Sequence, residues 1–154
     1  MRIVIVDDDM LVAGALKTIL VADKDVTVAG TGQDGGDALG LYRQHLPDVL
    51  LMDIRMQKVS GLEAAKQILE EYPQAKILLL TTFADDEYIV KALKYGVKGY
   101  LLKQDYTSIL PAIRAVCTGQ TVFGTEIVSK IPQLLQEKKT FDWAAYEISE
   151  KELK

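Results

Sequence analysis

Five short apolar segments alternate along the chain with longer segments in which apolar residues recur at every third or fourth position. The short segments predict strands at residues 2–6, 26–30, 49–53, 76–80 and 99–102. Each is apolar at nearly every position, which is typical of strands that are buried on both faces of a parallel sheet. The longer segments predict a helix after each strand, and the first of these helices has the inward stripe Val12, Leu16, Ile19 and Leu20.

Capping residues predict where several of these helices begin. Asp9 can cap the first helix, and Ser60 with Glu63 three residues later forms a capping box for the third. The fifth helix is predicted to begin near Ser108. Pro111 would then fall in the first turn, where backbone N–H groups have no partner within the helix.

Strands that alternate with helices in this way form βαβ units, whose right-handed crossovers cover both faces of a parallel sheet. The pattern therefore predicts an α/β domain over residues 1–120, a flavodoxin-like, doubly wound (βα)5 fold with a five-stranded parallel sheet. Two strand orders are compatible with the pattern, and we favour 2-1-3-4-5. This order places the first and third strands side by side at the switch point, where ligands bind beyond the carboxyl ends of the strands.

Composition narrows the class of protein. The 154 residues are 49% hydrophobic and 26% charged, which is ordinary for a soluble globular chain. No apolar run approaches the roughly 18 residues that span a bilayer, and the N-terminus does not resemble a signal peptide, so we expect a cytoplasmic protein with no membrane partner. The net charge of -4 gives no electrostatic footprint for nucleic acid in these residues. The single cysteine, Cys117, is expected to be a small buried apolar residue.

Polar side chains follow the predicted strands at one edge of the sheet. These residues are Asp7, Asp8, Asp53, Thr81 and Lys103. Carboxylates that crowd together raise one another's pKa values unless a cation joins them. The site offers only oxygen ligands, because the sole histidine, His45, lies at the far end of its strand, and such a site selects a hard ion: Mg²⁺, or Mn²⁺ in its place.

An acidic site of this kind can accept a phosphoryl group. Aspartyl phosphate is an attested covalent intermediate, and its formation requires positioning and charge neutralisation more than acid–base chemistry. In this hypothesis Asp53 is the nucleophile. Lys103 and the metal ion would offset charge on the phosphoryl oxygens, and Thr81 would donate a hydrogen bond to one of them.

Four motifs, in order along the chain, resemble those of the receiver domains of bacterial two-component response regulators. They are VIVDDD at 4–9, PDVLLMDIRM at 47–56, LLLTTF at 78–83 and KGYLLK at 98–103. The resemblance covers the whole (βα)5 region. It implies that Asp53 is the phosphorylated aspartate, that Asp8 binds Mg²⁺ directly, that Asp7 does so through water, and that the backbone carbonyl of Arg55 is a further ligand.

The resemblance also assigns a conformational switch. Thr81 matches the switch hydroxyl, Lys103 the lysine that contacts the phosphoryl group, and Tyr100 the switch aromatic, which is expected to turn inward when Thr81 is drawn to the phosphate. Two positions depart from the family pattern, because Gln57 and Gln104 stand where many members have proline. We expect a less rigid loop at Gln57 and, after Lys103, a trans peptide bond or a different aim of the lysine side chain, since a cis bond without proline costs about 3 kcal/mol.

The residues beyond the predicted domain resemble those of the LuxR/NarL-type subfamily. We expect a linker over 121–146 with a helix at 126–139 that is disturbed near Pro132. Residues 147–154 contain a second capping box and resemble the start of a helix-turn-helix output domain. The interpretation is a receiver domain cut before its output domain, whose parent regulates transcription and binds DNA only through the missing C-terminal domain.

The resemblance implies two protein partners, a sensor histidine kinase and, after phosphorylation, a second copy of the chain. It implies autodephosphorylation and no turnover of an external substrate. On the first helix, Leu11 and Ala15 begin a second apolar stripe that continues to Thr18 and Ala22. Exposed apolar stripes often mark partner surfaces, so we expect the kinase to dock there.

Two other functions use the same fold class. A Mg²⁺-dependent phosphohydrolase could turn over a substrate through Asp53, but known aspartate-nucleophile phosphatases carry an Asp-x-Asp pattern on the first strand, and here the aspartates are adjacent. There is also no obvious cap segment to enclose a substrate. A flavodoxin-like cofactor binder is disfavoured because three carboxylates would repel a cofactor phosphate and no glycine-rich loop follows the first strand.

Overall fold

In the computed structural model, the chain folds into a six-stranded parallel sheet with helices on both faces. The structure describes residues 1–56, 58–83 and 85–138. The strands are β1 (Arg2–Val6), β2 (Thr27–Gly32), β3 (Val49–Asp53), β4 (Ile77–Thr81), β5 (Gly99–Leu102) and β6 (Val122–Phe123). The helices are α1 (Met10–Val21), α2 (Gly35–His45), α3 (Gly61–Glu71), α4 (Asp86–Tyr95), α5 (Tyr106–Cys117) and α6 (Thr125–Lys138). Gln57 and residues 139–154, on which parts of the sequence-based prediction fall, lie outside the described residues.

The strand order is β2-β1-β3-β4-β5-β6, and all the pairs are parallel. The predicted flavodoxin-like fold and its 2-1-3-4-5 order are therefore confirmed. The sequence pattern missed β6, which pairs with Gly99 and Tyr100 of β5. Two residues are too short a segment to show a hydrophobic period, so only the paired edge of β5 makes this strand recognisable.

Two hydrophobic cores lie on opposite faces of the sheet, because successive residues of a strand point to opposite sides. Leu50 and Met52 of β3 belong to the core under α2, α3 and α4, whereas Val49 and Leu51 belong to the core under α1 and α5. Every residue of β3 and β4 is buried. This double burial explains why both strands are apolar without alternation, and it leaves only their ends for polar side chains.

The predicted caps at two helix starts are present. Asp9 Oδ1 accepts hydrogen bonds from the backbone N–H groups of Leu11 (3.0 Å) and Val12 (3.3 Å). Ser60 Oγ accepts one from the N–H of Glu63 at 3.1 Å. Both side chains occupy N–H groups that have no partner within the helix, so each fixes the residue at which its helix begins.

Two helices differ from the prediction at a proline. Helix α5 begins at Tyr106, before the expected Ser108, so Pro111 lies in the second turn and the prediction that it occupies the first turn is wrong. Helix α6 continues through Pro132 to Lys138, and the expected disturbance does not interrupt it. Proline removes a single backbone N–H, and the packing of Ile131 against the core holds α6 at this point.

Two predicted core residues are more exposed than expected. Ile19 is 41% exposed, because it lies at the edge of the α1 stripe whose centre is Leu16 and Leu20. Cys117 is only half-buried, since it is the last residue of α5 and its carbonyl accepts a hydrogen bond from Lys76 Nζ at 2.7 Å. Within the described residues, no helix is both long enough and apolar enough to cross a bilayer.

The linker helix α6 packs back onto the domain beside α4. Ile127 is fully buried in the core under α2, α3 and α4, and Ile131 packs against the same core. Lys130 Nζ lies 3.2 Å from Asp86 Oδ1 at the start of α4. Residues 125–131 are thus part of the folded unit, and the hydrophobic core continues past residue 120, where the sequence pattern placed its end.

We predict that Ile127→Ala lowers the free energy of unfolding by about 2–5 kcal/mol, because it leaves a cavity in the core. Val128→Ala is the matched control on the same helix. Val128 is 50% exposed, so its truncation should change stability by no more than about 0.5 kcal/mol. Urea denaturation followed by circular dichroism measures both. Equal and small effects would show that α6 contributes nothing to the core.

Candidate functional site

Three carboxylates meet at the carboxyl ends of the two central strands. Asp7 and Asp8 follow β1, Asp53 ends β3, and the register that pairs Val6 with Met52 brings these positions together. One oxygen from each carboxylate lies within 4.8 Å of the others. Asp7 and Asp53 are almost fully buried, whereas Asp8 is exposed and gives the cluster access to solvent.

Lys103 neutralises part of this charge. Its Nζ lies 3.0 Å from Asp7 Oδ2 and 3.2 Å from Asp53 Oδ2. The lysine follows β5, and its backbone N–H donates to the carbonyl of Thr81 at the end of β4. From that position its long side chain reaches across β4 to both carboxylates. Three ionised carboxylates and one ammonium leave a formal charge of -2 at the site, which a divalent cation would balance.

Burial changes how two of these groups titrate. It raises the pKa of Asp53 from an ordinary value of 3.8 to about 6; Lys103 opposes this rise, and the charge of Asp7 adds to it. For Lys103, burial alone would lower the pKa, but the hydrogen bond to Asp7 and the charge of Asp53 raise it above its ordinary value. Lys103 is therefore charged at neutral pH, and Asp53 titrates just below neutrality.

Thr81 and Tyr100 lie on the neighbouring strands and are both fully buried. Thr81 Oγ1 donates a hydrogen bond to the carbonyl of Phe83 at 2.9 Å. Tyr100 is already turned inward while Thr81 bonds to Phe83, which differs from the expected inward turn on phosphorylation, and its hydroxyl has no hydrogen-bond partner among the described residues. An unpaired buried hydroxyl costs about 1–3 kcal/mol, so the packing around the ring must outweigh this cost in the inward position. Burial also raises the pKa of Tyr100.

Arg55 makes contacts beside the site that the sequence did not predict. Its guanidinium lies over the rings of Phe83 and Tyr88, 5.9 and 5.6 Å from their centroids, and 3.9 Å from Asp85 Oδ2. Cation–π contacts at such exposed positions contribute about 0.5–1 kcal/mol. They connect the loop after β3 to the start of α4. No spacing in the sequence indicates them, because the partners lie about thirty residues away. The role of the Arg55 carbonyl as a metal ligand stays a prediction.

Gln104 in place of proline does not displace the lysine. The bond between Lys103 and Gln104 is trans, as expected, and Lys103 nevertheless contacts both carboxylates. The apolar stripe on α1 is exposed along its length, with Leu11 at 86%, and it begins directly after the acidic residues of the cluster. Its position next to the site agrees with the docking hypothesis, which itself stays a prediction for Leu11 and Ala15.

Comparison with known proteins identifies a single family. The family described as the response regulator receiver domain matches residues 3–114, a span that contains every predicted site residue. The transcriptional regulatory protein YxjL of Bacillus subtilis (strain 168) is 40% identical over 131 residues, which are 84% of this chain and 60% of YxjL. The chain spans between half and two thirds of the length of the curated relatives it matches.

Solved structures with the same fold include two from the LuxR family. A two-component response regulator from Aurantimonas sp. SI85-9A1 superposes with a TM-score of 0.81 at 28% identity, covering 86% of this chain and 95% of that one. A DNA-binding response regulator from Staphylococcus aureus has a TM-score of 0.71 at 26% identity, covering 75% of this chain and 98% of that one.

We predict that Asp53→Asn stabilises the metal-free chain at pH 7. The pKa of Asp53 is higher in the folded chain than in the unfolded chain, so the folded chain binds more protons between about pH 4 and 6. The unfolding free energy of the wild type therefore falls as the pH rises through this window. The amide of the Asp53→Asn variant does not titrate, so the variant keeps the unfolding free energy that the wild type loses. The gain should be up to about 3 kcal/mol at pH 7 and should vanish below about pH 4.

Urea denaturation in EDTA between pH 4 and 8 measures this difference. Glu70→Gln, at an exposed position of α3, removes one carboxylate outside the site and should shift stability little at any pH. A difference between wild type and Asp53→Asn that does not change with pH would contradict the raised pKa.

Proposed function

Because the chain belongs to the response regulator receiver domain family, we propose that it accepts a phosphoryl group on Asp53 from a sensor histidine kinase. One observation carries the proposal. The carboxylates of Asp7, Asp8 and Asp53 converge at the end of the sheet, and the ammonium group of Lys103 contacts two of them. This arrangement provides a nucleophile, excess negative charge for a cation, and a fixed positive charge for an incoming anion.

In the proposed reaction an Asp53 oxygen attacks the phosphorus of a phosphohistidine. A P–O bond forms, the P–N bond breaks, and the imidazole leaves with the bonding electrons. Asp53 must be ionised to attack, and a pKa of about 6 leaves it mostly ionised at pH 7. Lys103 stays protonated and offsets the charge of the phosphoryl oxygens where they approach Asp53, which is the electrostatic contribution that phosphoryl transfer requires.

The donor set fits Mg²⁺, with Mn²⁺ as a substitute, because it consists of carboxylate oxygens that carry an excess charge of -2 with Lys103 included. In our assignment Asp8 and Asp53 bind the ion directly, Asp7 binds through water, and the Arg55 backbone carbonyl completes the protein ligands. The bound ion would supply charge neutralisation for the carboxylates and the phosphoryl oxygens. Asp8, as the exposed member, is the residue that an entering ion reaches first.

The switch is proposed to begin at Thr81. Its hydroxyl donates to the Phe83 carbonyl, and transfer of that hydrogen bond to a phosphoryl oxygen would release the segment that leads into α4. Tyr100 is buried with its ring turned inward, and it would hold the segment that leads into α4 in its new position. Helix α4 contacts the linker helix through Asp86 and Lys130, so its displacement would move α6.

The relatives suggest a longer protein. Since they are named as transcriptional regulators and the chain spans only part of their length, we propose a receiver domain at 1–120, a linker at 121–146 and the start of a helix-turn-helix domain at 147–154. Phosphorylation would promote a homodimer and so change DNA binding by the C-terminal domain. The parent would work in the cytoplasm. It would lose its phosphoryl group by autodephosphorylation and would turn over no external substrate.

Phosphorylation can be tested by intact mass. We expect one added phosphoryl group after incubation of the chain with acetyl phosphate and Mg²⁺, and none for Asp53→Asn or in EDTA. The amide cannot form the acyl phosphate, and EDTA removes the cation on which the charge balance depends. Asp48→Asn, at the opposite end of β3, is the matched control and should label like the wild type. Label that persists on Asp53→Asn would refute the assignment.

Kinase docking can be tested on α1. We expect Leu11→Glu to slow transfer from the kinase at least tenfold while labelling by acetyl phosphate stays unchanged, because only the kinase contacts this stripe. The kinase is chosen from a purified panel as the one that phosphorylates the wild type fastest. Leu46→Glu is the control, since Leu46 is an exposed leucine at the end of α2, away from the site. Equal loss with both donors would reject the docking surface.

A further inference from the structure

The carboxylate of Asp34 joins two segments that are distant in sequence. Asp34 is the N-cap of α2, and its Oδ2 accepts a hydrogen bond from the N–H of Gly36 at 2.9 Å. The same carboxylate accepts bonds from the loop after β3, from the N–H of Lys58 at 3.0 Å and from that of Val59 at 3.2 Å. One side chain therefore joins the start of α2 to residues 58 and 59 of the loop.

Gly35 completes this contact from the backbone. Its N–H donates to the carbonyl of Val59 at 3.1 Å, so the two segments exchange hydrogen bonds in both directions. A Cβ at Gly35 would lie 2.3 Å from the Val59 carbonyl oxygen. No residue larger than glycine fits here without moving the loop. This close fit fixes one packing geometry between α2 and the loop. A single flexible hydrogen bond at the surface would not fix it.

The loop held in this way connects the nucleophile to α3. At its base the N–H of Gly61 donates to the carbonyl of Ile54 at 2.7 Å, and a Cβ at Gly61 would lie 2.1 Å from the Asp53 carbonyl oxygen. The sequence of 55–60, RMQKVS, contains no proline to fix its backbone dihedrals. Hydrogen bonds from Lys58 and Val59 to Asp34 fix this segment at the end farther from Asp53.

We propose that Asp34 is a positioning residue for the chemistry at Asp53. By holding Lys58 and Val59, it would fix the loop whose Arg55 carbonyl is the predicted metal ligand. The inference rests on the proposed function, because it assumes that a cation at the cluster takes the Arg55 carbonyl as a ligand. The hydrogen bonds from Gly36, Lys58 and Val59 also lower the pKa of Asp34, so the carboxylate stays ionised in the pH range in which Asp53 reacts.

Substitutions at Asp34 can separate the loop contact from the helix cap. Asp34→Ser keeps a good N-cap for α2, but its single, shorter hydroxyl cannot reach the loop as well. Asp34→Asn keeps the length and one acceptor oxygen, so it should retain part of the loop contact. Gly35→Ala disturbs the same contact from the other side, through the Val59 carbonyl.

The first measurement is Mg²⁺ affinity by a ¹H–¹⁵N NMR titration of the metal-free chain, beside urea denaturation of each variant. We expect the dissociation constant to rise about tenfold in Asp34→Ser, the size of effect seen when support for metal ligands is removed, and less in Asp34→Asn. The Mg²⁺ concentration for half-maximal labelling by acetyl phosphate should rise by the same factor. The rate at saturating Mg²⁺ should stay near that of the wild type.

A purely structural role would lower stability and leave the Mg²⁺ affinity of the folded chain unchanged. Wild-type affinity in folded Asp34→Ser overturns the proposal. If Asp34→Ser does not fold, the proposal is overturned when both Asp34→Asn and Gly35→Ala bind Mg²⁺ with the wild-type affinity. The proposed function fails separately, if the wild type itself binds Mg²⁺ but never gains a phosphoryl group.

Discussion

The ion pairs of Lys103 with Asp7 and Asp53 are the interaction on which the rest of the site depends. Two carboxylates that are almost fully buried at adjacent strand ends would repel each other and would be costly to keep ionised. The lysine reaches them at 3.0 and 3.2 Å and makes their charged forms tolerable, but one ammonium cannot balance three carboxylates. The remaining charge keeps the site reactive toward cations. Burial, with a smaller contribution from the charge of Asp7, raises the pKa of Asp53 to about 6 despite the lysine.

The sheet makes this unfavourable cluster possible. β3 and β4 are buried at every residue, and apolar burial on both faces provides the stability that the carboxyl ends of the strands do not contribute. The same architecture fixes where the polar groups can lie. In a parallel sheet whose strands are apolar along their length, charged side chains have access to water only at the ends. The switch point between β1 and β3 therefore concentrates them in one place.

This arrangement explains which residues of the site could be predicted from the sequence. Asp7, Asp53, Thr81 and Lys103 could be predicted because each directly follows or ends an apolar segment, and parallel strands bring such ends together. Interactions between loops leave no such pattern. The contacts of Arg55 with α4 and those of Asp34 with the loop after β3 join residues that lie more than twenty positions apart, and only tertiary structure brings them together.

Errors in the prediction have similar physical origins. A helical period marks a stripe about 100° wide, and it does not distinguish the centre of the stripe from its edge, which is why Ile19 was wrongly assigned to the core. β6 is too short for any period. The burial of Ile127 could not be predicted, because it depends on where α6 turns back across the domain, and no local pattern in the sequence indicates that direction.

Contacts at the start of α4 join the loop after Asp53 to the linker helix α6. α4 buries Ile89 and Ala92 fully, and four further α4 side chains pack against the same core, Tyr88, Val90, Leu93 and Tyr95. Its start is bound on one side to Arg55, in the loop that follows the nucleophile, and on the other to Lys130 of α6. In the proposed switch, a helix tied at one end to both the reaction site and the linker would transmit a local change without deformation of the sheet. The sheet, whose strands β3 and β4 are buried at every residue, holds the charges in register.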